Sequence, residues 1–228
     1  MTIGTLRPKG SLGLAVRRQS QPPGLRGFMA GALPRPGLPR EVNVWRARNL
    51  PRVTWQFIRV TLGTFIARAC GLMVGCGRLS CKVTRGGVEL DYGIASYRLV
   101  TDTGVAFIVD ALHAAATIAN LKYHGFGTGT TNESAAQTAL VTELTTEYAT
   151  DNTRPTGSQG EGASANIYQT VATLDPDSAV AITEHSVFDQ AANSGGTMLD
   201  RSKFSAINLA ATGDTLATTY ELTLSSGG

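Results

Sequence analysis

A period of two between apolar and polar residues runs through much of the chain from Leu79 onward. Residues 88–94 read Val-Glu-Leu-Asp-Tyr-Gly-Ile, and residues 216–224 alternate leucine, threonine and tyrosine with alanine, threonine and glutamate. Successive side chains of a β-strand point to opposite faces of the sheet, so this period predicts half-buried strands. It favours a mainly β architecture for residues 78–228.

Turn sequences rich in Gly, Pro, Asn and Asp divide this region into strands. Arg85-Gly86-Gly87 predicts a hairpin between a strand at residues 79–84 and the strand at 88–94. The remaining predicted strands are 167–174, 180–188, 198–204 (running on irregularly to 209) and 216–225. Because tight turns join these four, we expect them to pair in order as a meander. Six or seven strands are enough for an antiparallel β-sandwich of two packed layers.

One principal helix is predicted at residues 103–120, where the period changes to three and four. Its spacing predicts a buried face made of Val105, Ile108, Val109, Leu112, Ala116 and Ala119, with Asp102 or Thr103 as the N-cap. The pattern at residues 133–143 indicates a second, short helix.

Charge separates the chain into two parts at about residue 77. Residues 1–77 contain 12 Lys and Arg against one acidic residue, whereas residues 78–228 contain 8 against 16. Arg, Pro and Gly clusters interrupt the first part, which predicts a basic arm that is disordered over residues 1–50. Arg59 and Arg68 divide the apolar stretch 53–77 into runs too short for a membrane span.

Three interpretations of this arm stay open. Its arginines could neutralise nucleic-acid phosphates without a fold, or the arm could become ordered on an assembly partner. It could also lie outside the working protein, because Met73 offers a start just before the composition changes. Nucleic-acid binding is thus one of three interpretations of the arm, and residues 1–77 are the only part of the chain to which the sequence assigns it.

Reactive residue types do not form a recognisable catalytic pattern. Cys70, Cys76 and Cys81 lack metal-binding spacing, and the three histidines are far apart in sequence. The densest cluster is residues 184–189, Glu-His-Ser-Val-Phe-Asp, where His185 is interpreted as a polar residue of the sheet surface or of a subunit contact. The sequence predicts no enzyme, no catalytic residue, no cofactor and no metal site.

Several segments resemble a pattern found in virion proteins of tailed bacteriophages. Residues 181–189 (AITEHSVFD), 195–204 (GGTMLDRSKF) and 213–224 (GDTLATTYELTL) resemble a strand, a following strand and a closing strand of that group. Residues 123–130 and 138–143 resemble its upstream part, so that the resemblance covers about residues 80–228. Ser186 departs from the pattern, which usually has glycine there, and Asp200 precedes the arginine.

The resemblance implies a structural subunit of tail-fibre, baseplate or head-decoration type, located in the virion, whose partners are copies of itself and other virion proteins. Such subunits associate through β surfaces, and we expect the 180–204 hairpin to supply the interface. Register across this hairpin predicts an ion pair between Glu184 and Arg201. The candidate interface residues are Ile182, Glu184, Val187, Phe188, Met198, Leu199, Arg201 and Phe204.

Two alternative functions remain. A coat protein that packages nucleic acid would use the Arg-rich arm on the genome and the β domain as a shell. A carbohydrate-binding module is compatible with a sandwich, although only Tyr and Phe, and no Trp, follow residue 78 to stack on sugars.

Overall fold

A computed structural model describes residues 24–98, 100–149, 151–210 and 213–226. Within these ranges, the helices are α1 (Leu25–Ala32), α2 (Arg40–Ala69) and α3 (Asp102–Leu112). The strands are β1 (Val74–Arg85), β2 (Val88–Arg98), β3 (Tyr123–Gly127), β4 (Ser158–Glu161), β5 (Ile167–Leu174), β6 (Val180–Phe188), β7 (Ser202–Leu209) and β8 (Thr215–Ser225).

The strands form two antiparallel sheets, which confirms the mainly β prediction. One sheet has five strands in the order β2-β1-β8-β5-β4, and the other has three in the order β3-β6-β7. Apolar side chains from both sheets belong to one continuous core, including Leu79 of β1, Tyr220 of β8, Phe126 of β3 and Ile182 of β6. The two sheets are therefore the layers of a sandwich.

The strand order differs from the predicted meander. β5 pairs with β8, and β6 pairs with β7, so the turn after Leu174 carries the chain from one sheet to the other. A short turn can join strands in facing sheets as well as neighbours in one sheet, because both arrangements bury the same apolar face. β4, which is not among the predicted strands, adds an edge strand beside β5.

The predicted principal helix is shorter, and its buried face agrees with the prediction only in part: Ile108 and Ala116 pack against the core. α3 ends at Leu112, and its N-cap is Thr101, whose Oγ1 accepts a hydrogen bond of 3.0 Å from Gly104 N. Gly104 and Phe107 are buried, whereas Val105, Val109 and Leu112 are exposed. The three-and-four spacing predicts the position of the helix correctly. It identifies the buried face only in part, because apolar residues lie on both faces and the one that contains Phe107 packs against the core. Residues 133–143 are turns and bends without a helix.

Part of the predicted disordered arm is helical. α1 and α2 occupy most of residues 25–69, so the prediction of disorder is wrong for residues 24–50. Residues 1–23 lie outside the described residues. α2 has 30 residues and continues through Pro51, which removes one backbone donor from the helix interior. α2, and not the predicted helix that corresponds to α3, is therefore the longest helix of the described residues.

α2 closes one open side of the sandwich by bonding to the edge strands of both sheets. The Asn49 side chain donates to Ala95 O of β2 at 2.8 Å and accepts from Ser205 N of β7 at 3.1 Å. Trp45 Nε1 donates to Ser205 O at 2.7 Å. Farther along, Tyr97 N of β2 donates to Gln56 Oε1 at 3.2 Å. α2 therefore supplies some of the hydrogen bonds that a further strand would otherwise make.

Arg46 shows how this basic segment becomes part of the core. Its side chain is 1% exposed and donates to three backbone carbonyls, those of Ala30, Leu33 and Asp91. These bonds tie α2 to α1 and to β2. From composition, Arg46 would belong to a solvated arm. In the structure its guanidinium donates to backbone carbonyls that would otherwise be buried without a partner.

Candidate assembly surfaces

The hairpin predicted as the interface is internal to a single chain. All eight of its candidate residues are at most 2% exposed. β6 is the central strand of the three-stranded sheet, and both of its faces are covered over residues 184–188. A second copy cannot contact side chains that one chain already encloses, so the assignment of these eight residues to an interface is corrected: Ile182, Glu184, Val187, Phe188, Met198, Leu199, Arg201 and Phe204 are core residues.

The predicted ion pair between Glu184 and Arg201 is confirmed. The carboxylate and the guanidinium are 2.6 Å apart, and both side chains are enclosed. Glu184 also accepts hydrogen bonds from three backbone amides, those of Gly129 (3.0 Å), Val141 (3.1 Å) and Thr142 (2.8 Å). One carboxylate on the outer face of β6 thus fixes both ends of the segment 129–142.

Arg201 holds the same segment at a second place. Its Nη1 donates to Thr131 O at 3.1 Å and to Gln137 Oε1 at 3.2 Å. The residue directly opposite Glu184 across the strand pair is Lys203, so Arg201 reaches the carboxylate from a diagonal position. Segment 129–142 is irregular, and these charge-assisted bonds replace the hydrogen bonds of regular structure.

The inner face of β6 carries a buried histidine pair. His185 Nε2 lies 2.9 Å from His124 Nδ1, and both residues are fully buried. Arg98 Nη2 lies 3.2 Å from His185 Nδ1, and a guanidinium only donates, so we assign the His185 proton to Nε2. His124 then accepts at Nδ1 and donates from Nε2 to Thr170 Oγ1, 3.2 Å away. His185 is therefore a core residue and not, as interpreted from the sequence, a surface or contact residue.

Burial keeps this pair neutral. It lowers the pKa of His124 to about 3, with the Arg98 charge adding to the effect. Burial also holds the pKa of His185 well below its ordinary value, and His124 and Arg98 lower it further. Arg98 is balanced by Asp200, whose carboxylate lies 2.8 Å from its Nη1. The arrangement forms a hydrogen-bonded polar centre between the two sheets.

Two groups of exposed apolar residues lie on helix faces. In the C-terminal half of α2, the exposed apolar residues are Trp55, Ile58, Leu62, Phe65 and Ile66. We call these five residues the α2 stripe. On α3, Val105, Val109 and Leu112 form a smaller exposed face, and Leu112 is 84% exposed. Exposed apolar residues grouped on one face of a helix are typical of contact surfaces.

A groove of about 840 Å³ separates part of the α2 C-terminal half from the sandwich. Arg52 and Arg59 line it from α2, and Cys76 and Tyr97 line it from the strands. Arg52 forms an ion pair of 3.0 Å with Glu133 across the groove. This pair joins α2 to the segment that Glu184 and Arg201 hold.

Several arginines of the predicted arm have partners within the chain. Arg35 lies 3.4 Å from the Asp91 carboxylate, Arg46 donates to carbonyls, and Arg52 pairs with Glu133. These contacts explain part of the basic composition by folding. Nucleic-acid binding through residues 1–77 stays a prediction.

Sequence reasoning missed the α2 stripe although its spacing was visible. Trp55, Ile58, Leu62 and Phe65 follow one another at intervals of three, four and three. This is the spacing of one helical face, and the search for a membrane span passed over it because Arg59 interrupts the run. Among the described helices, none combines the length and the apolar character needed to cross a bilayer. The chain matches no protein-family model, and no curated protein matches it.

Proposed function

We propose that the chain is a structural subunit of a bacteriophage particle that associates with copies of itself and has no catalytic role. The observation that carries the proposal is the pair of apolar helix faces, on α2 and α3, that the described residues of the chain leave exposed. The resemblance of residues 80–228 to phage virion proteins supports the particle, and the sandwich fold is compatible with it.

The contact between copies is assigned to helices and not to the strands expected from the sequence. β2 and β7, two of the four edge strands, already receive hydrogen bonds from α2. β4, another edge, is only four residues long. Paired or short edges are poor templates for a strand from another copy, whereas the helix faces present apolar side chains.

Two measurements test this proposal. Light scattering of the purified full-length chain over a hundredfold concentration range is expected to give a mass of two chains or a larger whole number of chains. Mass spectrometry of particles purified from a lysate of the host that carries the gene is expected to find the chain at a fixed stoichiometry. A monomer at every concentration contradicts self-association, and absence from purified particles contradicts the virion assignment.

A further inference from the structure

We propose that the α2 stripe is a dimerisation seam that packs against the α2 stripe of a second copy of this chain. This inference rests on the self-association proposed above and names the surface that performs it. Its residues are Trp55, Ile58, Leu62, Phe65 and Ile66, which are between 49% and 70% exposed.

The stripe lies opposite the face that holds α2 on its own chain. Val53 is buried, and Phe57 and Val60 pack against the small core that contains Phe28 and Tyr97. At 100° per residue, the mean directions of these residues and of the stripe differ by about 160°. α2 therefore has one face for its own fold and a second, largely exposed face, of which Trp55 borders the groove beside the sandwich.

The spacing of the stripe suits a partner helix with the same pattern. Trp55 and Leu62 are seven residues apart, as are Ile58 and Phe65, so the four positions alternate as the a and d positions of two heptads. Helices pack in this way when each apolar side chain enters a gap between side chains on the other helix. An identical stripe provides those gaps, which makes a second copy the natural occupant.

Charge is consistent with self-pairing. All five stripe residues are uncharged, so two stripes in contact bury no charge in either helix direction. The charged residues of this half of the helix are Arg59 and Arg68, which lie on its two flanks, where arginine side chains reach water.

The area of the stripe is in the range that a stable dimer needs. At their exposed fractions, side chains of this size leave on the order of 500 Å² of apolar surface per copy. A standard interface takes about 800 Å² from each partner, of which somewhat more than half is apolar. The stripe therefore supplies about the whole apolar share of one such interface.

The decisive experiment compares Leu62→Glu with Thr61→Glu in the full-length chain. Both residues are exposed and adjacent on α2, so both substitutions add the same charge without entering the core. Leu62→Glu is expected to weaken dimerisation about a hundredfold or more, measured by sedimentation, because it places a carboxylate in each half of the seam. Thr61→Glu, beside the seam, is expected to change it less than about fivefold. Circular dichroism checks that both variants are folded.

A third variant, Leu112→Glu on α3, separates failure of the seam from failure of self-association. If the wild-type chain is an oligomer that Leu62→Glu leaves intact, the seam is wrong, and loss of that oligomer in Leu112→Glu assigns the contact to α3. If the wild-type chain is monomeric throughout, the proposed function and the seam fail together.

Cross-linking provides a measurement that does not depend on a disruptive charge. In a Cys70→Ser background, Leu62→Cys places a thiol near the middle of the seam, and mild oxidation is expected to give a covalent dimer when the two helices run parallel, because the same position then faces itself across the pair. Thr61→Cys in the same background is the control and is expected to give little. Equal yields from the two variants would overturn a parallel seam.

Discussion

Buried charges in this protein are matched individually. Glu184 has Arg201 and three backbone donors, and Arg98 has Asp200 and the carbonyl of His185, 3.0 Å from its Nη1. Removing one member of such a pair leaves a charge in the interior without compensation, which is more costly than replacing both. These pairings therefore favour the arrangement of the core in which each buried charge lies beside its partner.

The histidine pair predicts a stability that falls with acidity. An unfolded histidine binds its proton near pH 6.5, but folded His124 does so only near pH 3. Below pH 6.5 the unfolded chain binds protons that the folded chain does not bind, so the free energy of unfolding falls progressively between pH 6.5 and about pH 3. The loss amounts to at most about 1.4 kcal/mol per pH unit for each histidine.

Urea unfolding at about pH 7 and pH 4.5 measures this dependence. His124→Gln, which removes one titrating group, is expected to reduce the difference between the two pH values by about a third to a half. His113→Gln, on an exposed residue after α3, is the matched control and should leave the difference unchanged. An unchanged difference in His124→Gln would show that other groups cause the acid sensitivity.

At the scale of elements, α2 acts as the closing piece between the two sheets. Asn49→Ala leaves a carbonyl on β2 and an amide on β7 without their partner. We expect a loss of about 2–4 kcal/mol in the free energy of unfolding, since each buried unpaired group costs about 1–3 kcal/mol. Urea denaturation measures it, with Asn208→Ala on the exposed face of β7 as the control at less than about 0.5 kcal/mol. A loss equal to that of the control would mean that α2 holds the sheets by apolar contacts alone.

The bounds of individual strands could be predicted from the sequence better than the pairing between strands. The bounds predicted for β5 and β6, residues 167–174 and 180–188, agree with the structure because alternation and turn residues are local properties. Which sheet a strand joins depends on contacts distant in sequence, and the period of two is the same in either sheet. The sandwich could therefore be predicted, but the pairing of β5 with β8 could not.

The candidate site was predicted in part. The Glu184–Arg201 pair followed from register, but the same reasoning placed both residues on a surface. β6 alternates like a half-exposed strand, and the segment 129–142, which has no period of its own, covers its outer face at Glu184. α2 was missed for a related reason: arginine and proline indicate a disordered arm unless the acceptors that Arg46 reaches are known.

At the scale of the molecule, the helices and the sandwich form one folding unit. Trp45 packs edge-on against Tyr92 at 5.2 Å between ring centres, and Val42 belongs to the core shared by the sheets. A fragment beginning at Met73 loses α1 and α2 and exposes this surface together with the edges of β2 and β7. We expect the fragment to aggregate or to unfold far more readily than the full-length chain. Solubility and thermal unfolding of the two proteins, compared side by side, measure this, and an equally stable fragment would restore the interpretation that the working protein begins near Met73.

The sealing of β2 and β7 by α2 has a consequence for how far assembly can proceed. When a strand from another chain pairs with an open edge, its own outer side becomes the new open edge. Strand addition can therefore continue without limit and produce fibrils. When a helix face packs against the same face of a second copy, both faces are buried in the contact, and neither can bind a third molecule. If the α2 stripe is the contact between copies, as proposed above, pairing through it gives a closed complex of two chains and not an open polymer.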